Sequence, residues 1–287
     1  MTKEAASQTA SGGPSTAPST HAIAASPMTP PTAPMRPWKQ AVARAFDGAD
    51  HYDAAGIIQA EVAGRLAQRI ALLPLAPSPR ILEIGCGTAF LTQAVLARVK
   101  PGLMVASDLA PAMIRRGRER MQHRPDLTFL VMDGERPCLA PGFDLICSSL
   151  AAQWFEDLEG TLGRLAGLLA PGGFLAVTTL ASGTFREWHA AHEAVGHRPA
   201  TPSYPTAKAL ARLQFAGCTS NLFLEPVVEK HADGRAFLRS LRAIGAGTPG
   251  TVRPLSPGAL RTVIRQFERG GGAITYEVAT LEIRRDP

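Results

Sequence analysis

The stretch "ILEIGCGTAF", residues 81–90, runs an apolar, strand-like segment into a turn with glycine at positions 85 and 87. Glycine at both positions permits tight backbone geometry and lets a ligand approach the main chain closely. A second apolar run, "GLMVASD" at 102–108, ends on Asp108 at the distance expected of a βαβ nucleotide site. The dinucleotide fingerprint G-x-G-x-x-G, however, needs a third glycine where this chain has Phe90, so close helix packing beside a pyrophosphate is not specified.

Glu83 lies inside the first strand, just ahead of the turn. A carboxylate there repels phosphate and suits a cationic, phosphate-free ligand, which S-adenosylmethionine is. Three strand ends support an adenosyl site. Asp108 suits two ribose hydroxyls, Asp133-Gly134 closes the third strand where an adenine amino group would arrive, and Ser148-Ser149 closes the fourth. Cys86 has no activating partner in the pattern and reads as a small turn residue rather than a nucleophile.

The strand-like runs "RILEI", "LMVASD", "LTFLVMD", "FDLICSS" and "GGFLAVTTL" alternate with helical stretches at 91–99, 112–122 and 158–169. Parallel strands need helix-length crossovers, so this rhythm predicts an α/β fold, a doubly wound and mostly parallel sheet. Two helices precede the first strand. After residue 179 the pattern predicts helices at 185–195 and 206–215, a strand at 222–228, helices at 234–244 and 256–267, and a final strand "AITYEVATLEI". Late helices of this kind read as a lid over the carboxyl ends of the strands, with insertions at about 183–217 and 233–269.

With 45% hydrophobic residues in 287, the chain can build a full core, and it reads as one large domain from residue 37 to 287. Residues 1–36, rich in Ala, Pro, Ser and Thr, read as a disordered extension rather than a secretory signal. The four cysteines are scattered without a C-x-x-C pair, which argues against zinc and against a disulfide framework; no metal is expected. No apolar run is long enough to span a bilayer, and the expected location is the cytoplasm. The charge of +6 suits an acidic partner.

These motifs, with "SDLAPAMI", "VMDGERPCL" and "FDLICSSLAAQWFEDL", resemble those of class I S-adenosylmethionine-dependent methyltransferases, whose Rossmann-like sheet has seven strands. The resemblance implies that Gly85, Cys86 and Gly87 line the methionine part of the cofactor and that Asp108 holds the ribose. It also implies that Leu109 and Met113 flank the adenine, with Asp133 facing its amino group. A base amino-methylase would carry Asn/Asp-Pro-Pro-aromatic where this chain has "SSLAAQW", and no basic domain with interleaved aromatics is visible, so nucleic acid is not an expected substrate.

A narrower resemblance covers most of the chain. "SSLAAQWFEDL", "TTLASGTFREWHAAHEAV", "FLRSLRAIGAG" and "ITYEVATLEI", with Phe46, Tyr52 and Gln59 upstream, are similar to the malonyl-[acyl-carrier-protein] O-methyltransferases of biotin synthesis. It implies methylation of a malonyl carboxylate, with Tyr52, Gln153, Trp154 and His189 as candidates for holding it. A carboxylate is already a nucleophile at neutral pH, so positioning rather than a strong base is what the site must supply. Trp154 equally suits packing against the sheet, and His189 a solvated helix face. Arg198 is a further candidate anchor, and Arg235, Arg239 and Arg242 form a basic face on which the acidic carrier protein would dock. Another small acid of the trans-aconitate kind, or a methyltransferase fold serving as assembly factor or hydroxylase, are the alternatives.

Overall fold

The computed structural model describes residues 36–49, 52–244 and 255–287. The extension expected over residues 1–36 therefore lies outside the described residues, apart from Arg36. Seven strands form one sheet: β1 (Arg80–Ile84), β2 (Leu103–Asp108), β3 (Leu127–Val131), β4 (Phe143–Ser149), β5 (Leu169–Leu180), β6 (Cys218–Lys230) and β7 (Ala273–Arg285). Their order is β3-β2-β1-β4-β5-β7-β6, with β7 antiparallel to both neighbours and the other pairs parallel.

The unbroken apolar runs of the central strands follow from cover on both faces. Ile81, Met104 and Leu145 pack with Leu66, Ile70 and Leu91, from α3 (Ile57–Ile70) and α4 (Phe90–Leu96). Their neighbours Leu82, Val105 and Ile146 turn the other way, onto Leu162 and Leu165 of α6 (Leu158–Ala166). A one-residue slip of any of these strands would exchange its two faces. The doubly wound α/β expectation holds. The remaining helices before β3 are α1 (Pro37–Asp47), α2 (Tyr52–Ala55) and α5 (Pro111–Met121).

The late helices are α7 (Arg186–Glu193) and α8 (Ala207–Leu210) between β5 and β6, then α9 (Gly234–Ala243) and α10 (Pro257–Arg269) between β6 and β7. Side-chain caps start three of them: Thr206 on α8, Asp233 on α9 and Ser256 on α10 each accept a backbone N–H three residues on. Trp188 of α7, Phe237 of α9, and Val263 and Phe267 of α10 close onto Ile274 and Tyr276 of β7. Phe237 is fully buried at the centre, with ring centroids 5.3 Å from Trp188 and 5.6 Å from Phe185. Burial of one such side chain stabilises by roughly 1.5–3 kcal/mol, so the helical layer has a core of its own.

The helix expected at 206–215 stops at Leu210. Leu213 and Phe215 instead fold back onto the cluster that contains Leu210 and Leu162, so tertiary burial ends the helix. Strand β6 is longer than its apolar run suggests, because it lies at the sheet edge, where Pro226 and polar side chains are tolerated.

Candidate active site

The carboxyl ends of β1, β2 and β4 and the chain just beyond β3 surround one cavity, at the point where the strand order reverses between β1 and β4. Gly85, Gly87, Asp108, Asp133, Gly134 and Ser149 line it, with Leu109 just beyond β2 and Met113 in the first turn of α5. Gly85 has φ +68°, and a Cβ there would fall 2.4 Å from the Ala151 Cβ. A Cβ at Gly134 would fall 2.2 Å from Ile84 Cγ2, so both glycines are required by close approach.

Asp108 is fixed by the main chain. Its Oδ2 accepts the Gly87 N–H at 2.9 Å and its Oδ1 accepts the Ala110 N–H at 2.8 Å. Burial raises its pKa above the usual carboxylate value, and these N–H groups oppose the shift. Each oxygen keeps a lone pair for a further donor, such as a ribose hydroxyl. The buried Ser149 hydroxyl has no partner among the described residues. An oriented carboxylate, an unpartnered hydroxyl and a side-chain-free loop fit the adenosyl and amino-acid parts of S-adenosylmethionine.

Two expected contacts lie behind the cavity wall. Glu83 does not line it; the Thr92 hydroxyl donates to Glu83 Oε2 at 2.5 Å, and burial, outweighing that bond, pushes the carboxyl up to about 8. Glu83 is therefore mostly neutral at pH 7, unlike the carboxylate expected to support a cationic ligand through hydrogen bonds or water. Alternation along β1 explains this, because Ile84 takes the cavity side and Glu83 the opposite one. Cys86 is buried with Ala89, Ala106 and Ile114, its thiol pushed up by burial, as the reading of an inert turn residue requires. Its side chain is not among those lining the cavity.

The N-terminal helices close the other side. Lys39 of α1, only 7% exposed, donates to Asp133 Oδ1 at 2.6 Å and also pairs with Glu135. The Thr88 hydroxyl donates to Asp53 Oδ1 at 2.6 Å, and Arg120 pairs with the other oxygen, so α2 is tied to the glycine turn. Sequence reading missed Lys39. It shares a helix face with Val42 and Phe46 at i+3 and i+7, a cation on an apolar face, which was the available signal.

A second, larger cavity of about 460 Å³ lies under the lid. Leu150, beyond β4, and Leu180, at the end of β5, form part of its floor, with Phe185, Trp188, Tyr204 and Leu238 among its apolar walls. Phe46, Tyr52, Leu150 and Trp154 line both cavities and so mark their junction. The Tyr52 phenol is pushed upward by burial first, then by Asp108, Asp53 and Cys86, and stays protonated at neutral pH. Gln153 donates its Nε2 to the Leu150 carbonyl at 2.7 Å, while its buried Oε1 has no partner among the described residues.

Of the four substrate candidates, Tyr52, Gln153 and Trp154 line this chamber and His189 does not. His189 Nε2 lies 2.7 Å from the Thr201 hydroxyl, whereas His192, one turn further along α7, reaches the wall. Arg198 and Arg242 also line the chamber, and no Asp or Glu does among the described residues. Arg242 thus belongs to the chamber as well as to the basic face of α9; Arg235 and Arg239 are exposed. Among the described residues no group of three potential metal ligands occurs, and no helix is long and apolar enough to cross a membrane.

A family model described as a methyltransferase domain matches residues 81–173. The malonyl-[acyl-carrier protein] O-methyltransferase of Magnetococcus marinus is 36% identical over 241 residues, 83% of this chain and 89% of that protein. The biotin biosynthesis bifunctional protein BioCD of Bordetella avium is 44% identical over 249 residues, and the chain spans about half of its length, 52%. The N-methyltransferase NodS of Bradyrhizobium japonicum, solved with S-adenosyl-L-homocysteine, shares the fold with a TM-score of 0.50 at 17% identity, over 87% of this chain and 98% of that one. The chain belongs to the malonyl-[acyl-carrier protein] O-methyltransferase family, built on the class I S-adenosylmethionine-dependent methyltransferase fold.

Proposed function

We propose that the chain methylates the free carboxylate of a malonyl thioester carried on acyl-carrier protein, giving its methyl ester at an early step of biotin synthesis. One observation carries this reading: the acid-free chamber meets the cofactor cavity at a wall whose polar groups, the protonated Tyr52 phenol and the Trp154 indole, are both uncharged. An anionic substrate meets no like charge in such a chamber. S-adenosylmethionine, when bound, supplies an electrophilic methyl group on a sulfonium. A carboxylate oxygen accepts that methyl without giving up a proton, so no residue has to act as base.

The chain orients the reactants and excludes water. The Gly85 and Gly87 main chain and the Ser149 hydroxyl border the methionine part, while Asp108 takes the ribose. Leu109, Met113 and Gly134 flank the adenine, and Asp133 takes its amino group through the oxygen that Lys39 leaves free. Glu83 and Cys86 shape the turn from behind. Tyr52 and Gln153 donate to the carboxylate, Trp154 bounds the transfer point, and His189 supports the lid through Thr201. Residues 37–287 act as one domain, with lid insertions at 183–217 and 233–269, and residues 1–36 as an extension. Exposed Arg235 and Arg239 lead away from the chamber rim at Arg242 and offer an acidic carrier a docking face.

At about 460 Å³ the chamber is in the range of roughly 300–1,000 Å³ typical of drug-sized ligands, far more than a three-carbon acid fills. A thioester arm accounts for the excess. The test is label transfer from methyl-labelled S-adenosylmethionine to malonyl-carrier protein, free malonate and trans-aconitate. Labelled carrier with little labelled free acid is expected; preference for either free acid overturns the proposal.

A further inference from the structure

Arg198, in the loop after α7, and Arg242, on α9, both line the lid chamber, and neither lines the cofactor cavity. Both side chains are exposed at the chamber mouth; among the described residues neither guanidinium makes a hydrogen bond or an ion pair, and the chamber lining holds no carboxylate to neutralise them. Two guanidiniums without counter-charge on one cavity are built to receive an anion, and the planar fork of each matches two oxygens of a carboxylate or phosphate.

The malonyl carboxylate is the obvious anion, but its required position is elsewhere. It must reach the junction of the two cavities, which Phe46, Tyr52, Leu150 and Trp154 line and neither arginine does. A guanidinium at the junction would also repel the sulfonium and draw charge from the attacking oxygen. The protonated Tyr52 phenol does neither. The arginines, which line the chamber but not the cofactor cavity, therefore suit a second anion on the same substrate. An acyl-carrier arm, like coenzyme A, holds its thioester at one end of a pantetheine chain and a phosphate ester at the other.

We propose that Arg198 and Arg242 form a phosphate subsite for the far end of the thioester arm, separating substrate binding at the lid from carboxylate orientation at the junction. The proposal rests on the malonyl thioester reading above. It also explains the size of the chamber, because the arm runs through it from rim to junction.

The test compares two small substrates that differ only in the phosphate, malonyl-phosphopantetheine and malonyl-pantetheine, with wild-type protein and the Arg198→Gln, Arg242→Gln double variant. Wild type is expected to favour the phosphorylated compound by about tenfold or more in kcat/KM, through KM, as charge-assisted hydrogen bonds to phosphate require. In the double variant that ratio falls towards one. KM for malonyl-carrier protein and for malonyl-coenzyme A then rises in parallel if the arm phosphate is read, whereas a rise on the carrier alone assigns the arginines to its protein surface and overturns the subsite. An unchanged ratio also overturns it, and so does a loss shared equally by both small substrates, which would put the arginines on the carboxylate. Calorimetric titration of S-adenosylmethionine reports whether the variant is folded. A folded wild type that methylates neither thioester overturns the malonyl reading itself and the subsite with it, a result distinct from any change in ratio.

Discussion

The Lys39 ammonium of α1 lies 2.6 Å from Asp133 Oδ1 and also pairs with Glu135, joining the N-terminal helix to the turn after β3. Only 8% of the lysine side chain is exposed, so the contact is an internal tie rather than a surface ion pair. Asp133 Oδ1 also accepts the Glu135 N–H at 3.0 Å, which fixes the carboxylate in the cofactor cavity.

Lys39→Met removes the cation and leaves two largely buried carboxylates. At pH 7 the variant should lose on the order of 3 kcal/mol of stability to chemical denaturation and bind S-adenosylmethionine more weakly. Burial opposes ionisation of Glu135, but Lys39 and the N–H groups of Asp157 and Glu156 outweigh it and hold its pKa below the usual value. The stabilisation is present above the unfolded value of 4.5 and is lost as pH falls through the lower folded one. The difference from wild type should therefore narrow in acid; a constant difference would assign the effect to packing.

Glu83→Gln tests the neutral carboxyl behind the glycine turn. Its folded value of about 8 stands above the usual 4.5, so its contribution is fully present below 4.5 and is lost as pH rises through about 8. Between those limits wild type should lose roughly 1 kcal/mol per pH unit relative to the glutamine variant, with a plateau above. Urea unfolding of the cofactor-free protein across pH 5–9 measures it, and parallel pH profiles would contradict the neutral state.

Tyr52→Phe keeps the ring that packs 6.3 Å from both Phe46 and Phe90 and removes only the hydroxyl. Turnover should fall by about a hundredfold, the scale of one lost donor at a reaction centre, with cofactor affinity little changed. The phenol stays protonated, so the wild-type pH–rate profile should show no limb near neutrality that the variant lacks. Such a limb would make Tyr52 a base.

Arg235→Ala with Arg239→Ala tests carrier docking without touching the chamber. KM for malonyl-carrier protein should rise and its dependence on salt flatten, while KM for malonyl-phosphopantetheine stays within about twofold. Equal losses on both substrates would place the pair in support of the lid.

The parallel sheet was legible because each buried strand is an unbroken apolar run, and the cofactor turn because Gly85, Asp108 and Asp133 stand at strand ends. What depended on the direction of a side chain was not. Glu83 and Ile84 are adjacent in sequence, yet only Ile84 reaches the cavity. His189 and His192 lie on one short helix, and three residues of rotation decide which meets the chamber. Lys39 was missed because its two carboxylate partners are 94 and 96 residues away, beyond any local pattern.

The central claim is ester formation on the malonyl carboxylate. Methyl-labelled S-adenosylmethionine, malonyl-carrier protein and the purified chain are incubated, and the isolated carrier is treated with mild alkali. Label that appears on the carrier and is then released as methanol is the predicted result, since a methyl ester hydrolyses and a methyl on carbon or nitrogen does not. Label that alkali releases only as a non-volatile acid, that stays on the carrier protein, or that never reaches the malonyl carrier would contradict the account.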